Sequence, residues 1–83
     1  MDCDVKEQLK IAIIAAINGN WETAHRITQT YSDSTANWLH AVLHKIEGDA
    51  WNSKYWYAKC DGKSYTDFSN TKEELDTMLR ELN

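Results

Sequence analysis

Apolar residues recur at helical spacing in five stretches, separated by short clusters of glycine, asparagine, aspartate and serine. The first stretch carries Val5, Leu9, Ala12, Ile13 and Ala16, with Asp2 or Asp4 as its cap; Asp4 has Glu7 three residues on, as a capping box wants. Within it "IAIIAAI", Ile11 to Ile17, reads as a helix segment buried on most sides. Gly19 supplies a left-handed terminator. Asn20 then caps a second helix with Trp21, Ala24, Ile27 and Tyr31 on one face. "SDSTAN", Ser32 to Asn37, is a run of capping and turn residues before a third helix from about Thr35 to Glu47. Gly48 ends that helix, and Asp49 caps a fourth that runs to about Cys60. A loop over 61–69 follows, with Tyr65 and Phe68 as its anchors on the core. Asn70 and Glu73 open a fifth helix striped with Leu75, Met78, Leu79 and Leu82. The pattern predicts an all-α fold in a single domain over residues 1–83.

The chain also echoes itself. "INGNWETAHRITQTY" and "IEGDAWNSKYWYAKC" align without a gap, so that Ile17, Gly19, Asn20 and Ala24 fall on Ile46, Gly48, Asp49 and Ser53. Each half reads as a helix, a Gly-Asn or Gly-Asp turn and a second helix: hairpin 1 over about 4–31 and hairpin 2 over about 35–60. Such hairpins bury their apolar faces by stacking. The fifth helix, 70–82, is expected to cover the open end.

Composition narrows the function classes. Thirteen acidic residues against nine basic ones leave a formal charge of −4, and the cations are scattered singly. Without a cationic stripe to neutralise phosphates, the chain does not read as a nucleic-acid binder. The longest apolar run has seven residues, where a membrane span needs about 20. The acidic start "MDCD" is unlike a signal peptide. Cys3 and Cys60 lack metal or disulfide spacing, which suits reduced thiols in the cytoplasm.

Candidate chemistry concentrates in the third helix. On a wheel, Trp38, Leu39, Val42, Leu43 and Ile46 form a core face, with Asn37, His40, His44 and Glu47 opposite. That polar face supports three readings. It is a solvated surface, or a groove faced by the first helix that takes a peptide or small polar ligand, or a metal site. In the last, His40 and His44 at i,i+4 spacing, with Glu47, would hold zinc or iron. Ala41, Val42 and Leu43 lie between the histidines, so the general-base glutamate of an HExxH zinc helix is missing. His25 is a lone polar position on the second helix. Cys60 sits at a helix C-terminus, where the dipole disfavours a thiolate, and no glycine-rich phosphate loop or nucleophile elbow occurs.

The fourth helix has more aromatics than one core stripe uses. Trp56, Tyr57 and Cys60 share its inner face with Ala50 and Ser53, while Trp51 and Tyr55 point elsewhere. The fifth helix or the 61–69 loop is expected to cover that pair. Left uncovered, it becomes an anchor for a partner or for a second copy in a twofold dimer.

The turn and following helix resemble the tetratricopeptide (TPR) and Sel1-like repeats. "NSKYWYAKCDG" is similar to the second helix of a Sel1-like repeat, with Ser53, Trp56, Tyr57, Lys59 and Cys60 at its pattern positions. The longer "WLHAVLHKIEGDAWNSKYWY" is similar to a family of small uncharacterised bacterial proteins with a His-x3-His-x2-Glu-Gly-Asp-x2-Asn segment before Tyr-Trp-Tyr. The resemblance implies two antiparallel TPR/Sel1-like hairpins and a capping helix, with the first helix of each pair lining a concave surface. The expected role is a non-catalytic binding or adaptor module without a cofactor. Asn37, His40, His44 and Glu47 would contact a polar ligand, and Trp51 and Tyr55 a protein or peptide partner. On that reading, His40→Ala and Trp51→Ala leave stability nearly unchanged.

Overall fold

The computed structural model describes residues 3–83, which form five helices and no strand. They are α1 (Cys3–Ile17), α2 (Trp21–Thr28), α3 (Ser34–Ile46), α4 (Ala50–Tyr57) and α5 (Thr71–Leu82). The expected caps at three starts are in place. Asn20, Asp49 and Asn70 accept hydrogen bonds from the backbone N–H of Thr23, Asn52 and Glu73, at 3.4, 3.3 and 3.0 Å. Asp33 caps α3 through Ala36 N, one residue earlier than Thr35 would place the start. Asp4 lies inside the first turn of α1, not at its cap, and Asp2 is outside the described residues. Helix α4 stops at Tyr57; the N–H groups of Lys59 and Cys60 turn back onto Trp56 and Tyr57.

The echo in sequence is an echo in backbone. Gly19 and Gly48 have φ of 83° and 82°, which a side chain would strain. Asn20 N donates to Ala15 O and Gly19 N to Ala16 O; Asp49 N donates to His44 O and Gly48 N to Lys45 O. Both turns are thus Schellman closures, and the helices after them, α2 and α4, are each eight residues long.

Helix α3 is the centre of the molecule. It packs against α1, α2, α4 and α5, and Leu39, Ala41, Val42 and Leu43 are fully buried. Leu9, Ala12 and Ile13 of α1, Ala24 of α2, and Leu75, Met78 and Leu82 of α5 complete the core. Each large aliphatic among them contributes about 1.5–3 kcal/mol. Helix α1 is less enclosed than its apolar run predicts. It has α2 and α5 as main neighbours, so Ile11 and Ile14 stay about half exposed. Tyr65 and Phe68 do pack the loop onto the core.

One polar cluster is set into this core. Glu74 of α5 is fully buried and accepts from Trp38 Nε1 at 2.8 Å, Tyr57 Oη at 2.6 Å and Lys45 Nζ at 2.9 Å. Lys45 also donates to the Tyr57 hydroxyl and to Phe68 O, both at 3.0 Å. The cluster joins α3, α4, α5 and the loop, and its carboxylate and ammonium satisfy each other away from water. No described helix is long and apolar enough to cross a membrane.

Candidate functional site

The seam between α2 and α3 gathers all three histidines. His40 and His44 lie one turn apart on α3 with rings stacked, centroids 5.0 Å apart. His25 comes across from α2, its centroid 4.8 Å from His40 and 5.6 Å from His44. The Nε2 atoms of His25 and His40 are 3.2 Å apart, so one ring donates and the other accepts. One ring nitrogen from each histidine lies within 4.8 Å of the other two.

Each ring is also held from outside the trio. The indole of Trp21 stacks on His25 at 4.7 Å, and that of Trp56 stacks on His40 at 3.8 Å, both within 9° of parallel. Glu47 Oε1 meets His44 Nδ1 at 2.6 Å. Trp21 is itself fixed by donating Nε1–H to Leu43 O at 2.7 Å. Burial pushes the pKa of His40 down to about 4, and repulsion by His25, His44 and Lys59 adds to it. His25 is lowered too, first by burial and then by His44, with Glu47 opposing. At neutral pH these two imidazoles are uncharged and have lone pairs to give.

The arrangement corrects several expectations. His40 is only 7% exposed and is not on a solvated face. The wheel assigned it outward because it treats a helix as having one neighbour, whereas α3 has four. Ile46, placed in the core, is 40% exposed at the end of α3. The histidine face meets α2 and Trp56 of α4, not the first helix. Glu47 does not join His40 and His44 as a third donor; it groups with His44 and Asp49. The Asp49 carboxylate is in turn engaged by the Asn52 backbone and side chain. Asn37 is two turns away from His44, its amide donating to Ser32 O at 3.2 Å.

No protein-family model, curated protein or solved structure matches this chain.

A second region stands out on α4. Trp51 is 76% and Tyr55 47% exposed, and their rings lie parallel with centroids 6.2 Å apart. The cover expected from the fifth helix or the loop is absent. Helix α5 packs on α1 and α3, and among the described residues the only helix whose backbone lies close to α4 is α3. Lys59 reaches over the Tyr55 and Trp56 rings at 4.7 and 4.8 Å. Burial, with Asp61 next, pushes the Cys60 thiol up to about 11, which favours the protonated form.

Two residues of the seam escaped sequence reasoning. By sequence His25 reads as a lone polar position and Trp21 as part of the core face of its helix. A signal was present, because Trp21 and His25 stand at i,i+4, the same spacing as His40 and His44 on the helix they face.

Proposed function

We propose that the protein is a small non-catalytic binding module that docks a protein or peptide partner on the outer face of α4. The observation that carries this reading is Trp51, three-quarters exposed on a helix with one close backbone neighbour. A Trp and Tyr stacked in the open expose area that an interface would bury, worth about 2–3 kcal/mol for such a side chain. Helix α4 has no carboxylate, and Lys54 and Lys59 flank the aromatics in a chain of net charge −4. That chemistry suits a partner offering apolar and acidic groups together. The paired helices and their Gly-Asn and Gly-Asp turns are in keeping with TPR and Sel1-like modules, and the segment from Trp38 to Tyr57 also resembles a family of small bacterial proteins. Two free cysteines fit a cytoplasmic setting.

The test compares wild type with Trp51→Ala/Tyr55→Ala, matched for helicity and melting temperature, as baits in quantitative affinity capture. Partners held by wild type and lost by the double variant support the reading. Identical captured sets sink it. Sedimentation of both proteins shows whether the partner is a second copy of the chain.

A further inference from the structure

We infer that His25, His40 and His44 form a binding site for one first-row transition-metal ion, with zinc the ion its donor set suits best. This is a separate site from the α4 face and does not depend on the docking proposal.

The geometry is close to what a tetrahedral ion needs. Zinc–imidazole bonds of about 2.0–2.1 Å put neighbouring donor nitrogens roughly 3.3–3.4 Å apart along a tetrahedral edge. His25 Nε2 and His40 Nε2 are already 3.2 Å apart, and the proton of their hydrogen bond would move to Nδ1 of the donating ring when an ion takes both. The third ring has its donor no farther than 4.8 Å from either, a gap that side-chain torsions close. His40 and His44 approach from successive turns of one helix, and His25 from another. An ion held by all three would therefore tie α2 to α3, and with them the two helix pairs.

Ring support points the same way. A metal site needs its imidazoles oriented by groups other than the metal, and mutation of those groups typically lowers affinity about 10–100-fold. Here Trp21 fixes His25, Trp56 fixes His40, and the Glu47 carboxylate takes Nδ1 of His44, leaving Nε2 of that ring for a second partner.

The donor set also bears on which ion. Glu47 groups with His44 and Asp49, not with His25 and His40. Three nitrogens without a carboxylate suit zinc, copper or nickel, whereas two histidines and a carboxylate would have suited non-haem iron. Among the described residues no fourth histidine, cysteine or carboxylate converges with the three. Water would complete the tetrahedron.

The test uses the tag-free full chain stripped with chelator and titrated with zinc against a chromophoric competitor. The ring signals of all three histidines are followed by NMR in the same samples. One zinc per chain, with the three rings shifting together, is the expected result. His25→Gln keeps a hydrogen-bonding side chain in the seam and should lower affinity by roughly 100-fold or more, beyond the range of an outer partner. Glu47→Gln should lower it by roughly 10-fold. Cys3→Ser should leave it unchanged. Circular dichroism of each variant confirms that it is folded. Absence of stoichiometric binding overturns the proposal, as does binding that survives His25→Gln or disappears in Cys3→Ser.

Discussion

The α2–α3 seam and the outer face of α4 are both rich in rings, yet the first is largely buried and the second open. His40 is 7% exposed, while Trp51 is 76% exposed. A ranking by residue type would put the tryptophan inside and the histidine outside. Position in the packing reverses that order. Helix α3 has four helices around it, so even a histidine on it is enclosed; α4 lies close to the backbone of one helix, so Trp51 is left mostly in water. The comparison teaches that enclosure belongs to the helix first and to the residue second.

The largest expected effect tests how strongly the closed half is fastened. Lys45→Met removes the ammonium from a carboxyl with no access to water, leaving Glu74 without its ion-pair partner beside Tyr57 and Trp38. Breaking a buried pair this way costs about 3–5 kcal/mol, which urea denaturation would read as a large fall in midpoint. A loss below about 1 kcal/mol would mean that water reaches Glu74 and that the core is looser than it looks.

Acid should open the seam next. His40 has a folded-state pKa of about 4, below the ordinary value of 6.5, because burial and then His25, His44 and Lys59 oppose its charge. On acidification the unfolded chain takes the proton first. The stability from this group is therefore complete above about pH 6.5 and is lost progressively as pH falls toward 4. His25 adds in the same direction. A loss on the order of 2 kcal/mol between pH 7 and 4.5 is expected, and His40→Gln should flatten that slope. An unchanged slope in the variant would put the pH dependence elsewhere.

His40→Ala follows. It removes a ring stacked at 3.8 Å on Trp56 and hydrogen-bonded to His25, leaving a hole between three helices. A loss of about 1.5–3 kcal/mol is expected in chemical denaturation. The wheel reading of α3 expects almost none, so this one variant decides between them.

That disagreement marks how far the sequence was legible. Five helices, three of their caps and the repeated Gly turn follow from local signals, and the structure places them within a few residues of their expected ends. Local rules work there because capping and Schellman closure are settled by residues three to five apart. The seam was not legible, because His25 and His40 are 15 residues apart and meet only when α2 and α3 dock. Glu74 was hidden for the same reason: its partners Trp38, Lys45 and Tyr57 come from two other helices. The exposure of Trp51 depends on where α5 packs, and nothing within α4 encodes that.

Trp51→Ala carries the smallest expected effect and the sharpest contrast. The side chain touches Tyr55 by a stack with centroids 6.2 Å apart and is otherwise mostly in water. Deleting it gives up part of one exposed aromatic pair and opens no cavity, so the change should stay within about 0.5 kcal/mol. Alanine is also the better helix former, which offsets some of that loss. Set beside His40→Ala, the prediction is an inversion: the tryptophan is nearly silent and the histidine is not. A Trp51→Ala loss of 2 kcal/mol or more would show that something in the free protein covers α4. The docking proposal would then lose the open surface on which it stands, while the histidine seam would be untouched.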